Sequence, residues 1–193
     1  MVPRILEQII PIHSAGYPAV ALVGPRQSGK TTLAKRLWPE HAYVSLESLD
    51  WRSQAELDPR GFLKDLGDRV VLDEVQRVPG LFSYLQEWLD EGGRHAVLTG
   101  SQQFLLMEGI SQSLAGRVAH FELLPLGWSE LTGNVAKGPW EALRGSFSGD
   151  KPKRSTVEMM HKGLYPRIHD KGLMAHRWLD DYLRTYVERD VRT

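Results

Sequence analysis

Residues Gly24-Pro25-Arg26-Gln27-Ser28-Gly29-Lys30-Thr31 have the spacing G-x-x-x-x-G-K-[ST], a pattern suited to cradling phosphate. The glycines let the backbone curl until several N–H groups face one point. A helix opening at the same place adds the partial positive charge of its N-terminus. Lys30 then reaches the β- and γ-phosphates of a nucleotide, the Thr31 hydroxyl ligates Mg²⁺, and the binding set extends to Thr32. A second group follows some forty residues on, where the run Arg69-Val-Val-Leu ends in Asp73 and Glu74. Open α/β sheets bind ligands at the carboxyl ends of their strands. Asp73 is placed there to hold the metal, and Glu74 to polarise an attacking water. The alternative is an acid pair that only caps the next turn.

Two further elements join these. Ala96-Val-Leu-Thr99-Gly100-Ser101 is another apolar run ending in small polar residues. A hydroxyl there either orients the water or caps the helix expected over Gln102–Met107, and one residue can do both. Arg117, in Leu114-Ala-Gly-Arg117, either projects toward a neighbouring subunit to neutralise phosphoryl charge or makes a local ion pair. The seven histidines show no zinc-type spacing, and the six tryptophans mostly fall within apolar patterns, which reads as core packing. No cysteine is present, which excludes disulfides, thiolate metal sites and thiol nucleophiles.

These groups need a scaffold, and the chain reads as alternating strands and helices. Short apolar runs at Ala19–Val23, Ala42–Leu46, Arg69–Leu72, His95–Leu98 and Val118–Leu124 are the expected strands. Helical spacing marks Arg4–Ile10, Thr31–Trp38 and Leu81–Leu89, the last closed by Gly92-Gly93. Asp58-Pro59 starts another helix, with Asp as N-cap and Pro in the first turn. Apolar strands separated by helices imply a parallel sheet covered on both faces. Residues 133–153, rich in Gly, Pro and Ser, read as a mobile loop or insertion. Ser155-Thr-Val-Glu158 then has capping-box spacing. Trp178, Leu179, Tyr182, Leu183, Tyr186 and Val187 fall on one helical face, and no capping signal follows, as in a truncated helical extension over 154–193.

The formal charge is zero, from 24 basic and 24 acidic residues. It hides a gradient: 14 basic against 18 acidic residues over 1–150, then Lys151, Lys153, Arg154, Lys162, Arg167, Lys171 and Arg177 against Glu158 and Asp170 over 151–177. That basic stretch is either a solvated face or a contact for phosphate or nucleic acid. No apolar run reaches the roughly 18 residues of a membrane span, and the first ten residues lack the pattern of a signal peptide. A cytoplasmic location is expected.

GPRQSGKTTL at 24–33, VVLDEVQRVP at 70–79, LTGSQQFLL at 98–106 and SLAGRVAHFELLPLGWSEL at 113–131, with YLRTYVERDVR near the end, together resemble the AAA+ superfamily ATPases of prokaryotes. The nearest resemblance is to the family that couples an ATPase domain to a C-terminal domain of unknown function, and it covers residues 4–193. It implies an α/β P-loop NTPase fold of AAA+ type: a three-layer sandwich around a five-stranded parallel sheet of order 5-1-4-3-2, with a C-terminal helical extension. It implies a Walker A loop at Gly24–Thr31 and Walker B acids at Asp73 (metal) and Glu74 (base). It further implies a polar sensor at Ser101 and an arginine finger at Arg117. No clear second-sensor arginine is present, and Arg167 is the nearest candidate. The expected divisions are an ATPase core over 1–132, the insertion over 133–153 and the helical extension over 154–193. The expected cofactors are ATP or ADP and Mg²⁺. The expected function is ATP hydrolysis coupled to conformational change in a larger protein, with a homo-oligomer as a possible assembly. The rival is a nucleotide-gated interaction or nucleic-acid-binding module with very slow hydrolysis, the nucleic acid meeting residues 151–177.

Overall fold

Five apolar segments pair as parallel strands: β1 (Ala19–Val23), β2 (Ala42–Ser45), β3 (Arg69–Asp73), β4 (His95–Gly100) and β5 (Val118–Glu122). They lie side by side in the order β2-β3-β4-β1-β5, the expected order read from the other edge. The computed structural model describes residues 2–101, 103–132 and 156–187. These fall into two compact units, one from Leu6–Leu124 and the other from the described parts of Met1–Ile5 and Pro125–Thr193.

All five residues of β1 are buried, because both sheet faces are covered and neither can be polar. Side chains alternate across a strand, and the core divides accordingly. Ala19, Ala21, Val23, Val70, Leu72, Ala96 and Leu98 pack on one side with Phe62, Phe82, Leu85, Leu106 and Ile110. Val20 and Leu22 pack on the other with Ile10 and Leu33, and Val71 and Val97 pack there with Ala34. The first set of helices is α3 (Leu49–Leu57), α4 (Pro59–Asp65), α5 (Leu81–Asp90) and α6 (Gln103–Ser113); the second is α1 (Leu6–His13) and α2 (Lys30–Leu37). Three layers result.

Several local expectations take a different extent. α1 starts at Leu6 rather than Arg4; just before it, the Ile5 N–H and the Arg4 guanidinium are both bonded to Glu130. α3 has no counterpart in the sequence reading. It buries only Ala55 and leaves Leu49 and Leu57 exposed, so it carries no apolar face to read. β4 runs two residues further, through Thr99 and Gly100. α6 runs on to Ser113, since Leu106, Ile110 and Leu114 recur every four residues in the core. α4 matches in detail: Asp58 Oδ1 accepts from the Gly61 N–H at 2.9 Å, with Pro59 in the first turn.

The second unit contains α7 (Trp128–Thr132), α8 (Thr156–Lys162), α9 (Pro166–Lys171) and α10 (Ala175–Tyr182), which continues as a π turn over Leu183–Val187. Glu130 is its polar centre. It accepts from Arg4 Nε at 3.0 Å, the Ile5 N–H at 2.7 Å and the Gly127 N–H at 2.7 Å. Tyr165, Trp178, Tyr182 and Tyr186 form an aromatic row with centroids about 5 Å apart. The expected terminal face is present, but α10 buries no residue fully. Leu183, expected on that face, is exposed. Residues 133–153 and Ser155, read as an insertion and a cap, lie outside the described residues. No described helix is long and apolar enough to cross a membrane.

Candidate functional site

β1, β3 and β4 end at one edge of the sheet, with β4 between the other two. Whatever follows them is gathered at that edge. After Val23 the chain turns at Gly24 (φ 139), where a Cβ would strike the Leu123 carbonyl, so only glycine fits. Gln27 (φ 61) and Gly29 (φ 100) are both left-handed, the curl that turns successive N–H groups inward. α2 opens at Lys30, so the free N–H groups of its first turn belong to the same loop. Lys30 is buried, and its ammonium donates to the carbonyls of Gly24 at 2.9 Å and Pro25 at 3.0 Å. Burial holds its pKa below the ordinary lysine value, against the opposing pull of Glu74 and Asp73. Thr32 follows on α2 and is exposed.

Asp73 is buried at the end of β3 and collects hydroxyls. Its Oδ2 accepts from Thr31 at 2.9 Å and from Tyr43 at 2.7 Å, and its Oδ1 accepts from Thr99. Thr31 and Asp73, forty-two residues apart, thus meet as expected. Their donor set is entirely hard oxygen, which fits Mg²⁺. Tyr43 escaped the sequence reading, since it is a plain strand residue of β2. Burial and then its bond to Asp73 push its hydroxyl pKa up, so it stays a donor. The Lys35 ammonium sits 3.6 Å from the centre of its ring.

Glu74 occupies a left-handed conformation (φ 56, ψ 44), which costs a non-glycine residue about 1–2 kcal/mol. Its Oε2 accepts from Gln76 Nε2 at 2.5 Å, Ser101 Oγ at 3.0 Å and the Ser101 N–H at 3.4 Å. The two hydroxyls closing β4 therefore divide the acids, Thr99 on Asp73 and Ser101 on Glu74. Gln76 also went unread. Its signal was present in the motif DEVQ, but the ordinary reading of a residue two past an acid pair is a turn.

Arg117 lies at the opposite edge. Its carbonyl accepts from Ala19 at the start of β1, and the five residues of β5 set it roughly 16 Å from the loop end of the sheet. It grips Asp90 with two bonds of 2.7 and 2.8 Å. Arg167 lies in the second unit, on α9, with Lys171 beside it. Lys151, Lys153 and Arg154 lie outside the described residues. Chemically, the loop edge can hold a polyphosphate between backbone N–H groups and a lysine. It offers hydroxyl and carboxylate oxygens to a cation, and it presents a second carboxylate one residue away.

A family model described as "AAA domain" matches residues 16–132. Uncharacterised proteins of Mycobacterium bovis and Mycobacterium tuberculosis are each 32% identical over 185 residues. Each match takes in 93% of this chain and 37% of the relative, so the chain spans little more than a third of the length of those curated relatives. A solved Walker-type ATPase of Pyrococcus abyssi shares the fold, with a TM-score of 0.55 at 16% identity over 100% of this chain and 75% of that one. A signal-transduction ATPase with a tetratricopeptide-repeat sensor, from Pyrococcus horikoshii, aligns at a TM-score of 0.45 and 18% identity over 69% of this chain and 24% of that one.

Proposed function

The chain belongs to the AAA domain family, and from that premise we propose that it binds Mg·ATP at Gly24–Thr32 and hydrolyses it to ADP and phosphate. One observation carries the reading: Thr31 Oγ1 of the loop donates to Asp73 of β3 at 2.9 Å, with Glu74 next in the chain. Lys30 and the loop N–H groups bind the phosphates. Thr31 and Asp73 would hold a magnesium ion, which would supply positive charge against the nucleotide's phosphates. Glu74 takes the proton of the attacking water, and Ser101 orients Glu74. Arg117 is far from its own loop and can serve only a neighbouring copy. The domain division at 132, supported by the end of the family match, belongs to the same proposal. So do a cytoplasmic location and the coupling of hydrolysis to movement in a longer protein.

Phosphate release with Mg·ATP tests it. The chain should turn over, and Glu74→Gln should still bind ATP while losing about 10²–10⁴ in rate. Normal turnover by that variant removes Glu74 as base. Measuring the rate per subunit over a wide protein concentration range locates the remaining part. A rate that climbs points to a site completed between copies, and a flat rate excludes Arg117 in trans. A very slow flat rate with ATP bound leaves the nucleotide-gated module.

A further inference from the structure

Gln76 is almost wholly buried, at 4% exposed, in the 3-10 turn Val75–Arg77 directly behind Glu74. A buried amide needs partners for both ends, yet only one end has one. Nε2 makes the 2.5 Å bond to Glu74 Oε2, while the carbonyl Oε1 is buried without a hydrogen-bond partner. Oε1 instead lies against Gly100, so close that a Cβ there would collide with it. A core position that wanted only to be filled would be served by leucine. Here an amide is kept at the cost of an unpaired oxygen, and the neighbouring strand residue has no side chain to obstruct it.

The direction of that one bond carries the consequence. Glu74 sits in a left-handed conformation, so its side chain does not leave the strand along the usual alternation. Its direction has to be set from outside. All three donors that reach the carboxylate, Gln76 Nε2, Ser101 Oγ and the Ser101 N–H, meet on Oε2. None of these bonds falls on the other oxygen, Oε1. We infer that Gln76 is a positioning residue for the reaction, clamping Glu74 by one oxygen so that the other faces the water to be activated. This rests on the ATPase reading above. Gln76 is buried behind Glu74 and reaches the site only through that carboxylate, so it acts on the chemical step and not on nucleotide binding.

The experiment is steady-state ATP hydrolysis by the wild-type chain, Gln76→Leu and Gly100→Ala, with KM, ATP affinity by calorimetry and melting temperature measured on each. Gln76→Leu should lower kcat by roughly 10²-fold, the loss typical of a group misplaced by about 1 Å. KM and ATP affinity should stay as in the wild type, a split that a merely structural residue does not produce. Gly100→Ala, whose new methyl displaces the amide, should reproduce that split. If Gln76→Leu does not fold, Gln76→Met fills the space with a flexible chain and is read in its place. An unchanged kcat, or a loss lying in KM and affinity, overturns the inference while the ATPase reading stands. Turnover absent from the wild type itself overturns both.

Discussion

The two edges of the sheet are built from the same strands and use their polar groups in opposite ways. At the carboxyl edge, Lys30, Thr31, Tyr43, Asp73, Glu74, Gln76, Thr99 and Ser101 converge on one small region, with two acids at its centre. At the amino edge the polar groups pair off locally. His41 Nε2 and His95 Nδ1 are 2.8 Å apart, with Trp38 beside both rings, and Arg117 closes on Asp90. α2 joins the two edges, starting at Lys30 and reaching Trp38 at its C-cap. The contrast separates two uses of polar groups. The converging groups surround two acids, while the paired groups bond to each other and leave His41 Nδ1 buried without a partner.

Substitutions at the two edges sharpen this contrast. The largest effect is expected at Lys30. Its charge is held in the loop mouth on two carbonyls, and burial already disfavours that charge. Lys30→Ala should therefore weaken ATP binding roughly 10- to 100-fold, the worth of a charged hydrogen bond, without lowering the melting temperature. Calorimetry and thermal unfolding read both, and a large stability loss with intact binding would reverse the assignment.

An intermediate effect is expected at the histidine pair. Burial, then His95, then Arg69, depress the His41 pKa to about 4, from an ordinary value of 6.5, and burial depresses that of His95. Both histidines are thus neutral in the fold where the unfolded chain takes up protons. Stability is full above about pH 6.5 and falls as the pH drops toward 4. The loss tied to His41 should be roughly 1 kcal/mol, allowing for solvent screening of a half-exposed ring. Comparing wild type with His41→Phe from pH 7 to 4.5 checks it, since the variant should lose less over that interval. Equal losses would remove the pair from the account.

The smallest effect on folding is expected at Arg117. Its bond to Asp90, which holds that carboxyl below the usual range, is exposed and screened. Arg117→Ala should leave the melting temperature nearly unchanged. If hydrolysis at high protein concentration falls steeply all the same, Arg117 belongs to a neighbour's site and the amino edge is not purely structural.

Legibility in the sequence followed locality. The loop residues are consecutive, so their spacing alone showed the glycine-rich turn between β1 and α2. The acids after β3 and the small polar residues closing β4 were legible because apolar runs stop there, although β4 itself runs two residues past the expected Leu98. The strand order came with the family resemblance, which the sheet bears out. α3 was not legible, because a helix that buries one alanine leaves no periodic trace.

By itself, then, the sequence determined the glycine-rich loop between strand and helix, the acid pair after an apolar strand, and the layered α/β class, since each is written in neighbouring residues or in a short period. Only the tertiary structure decided that Tyr43 reaches Asp73 across 30 positions, His41 meets His95 across 54, and Arg4 pairs with Glu130 across 126. It also decided that Ser101 serves Glu74 while Thr99 serves Asp73. Such partners are set by strand order and register, which bring distant residues within 3 Å, and no spacing along the chain encodes a distance that folding creates.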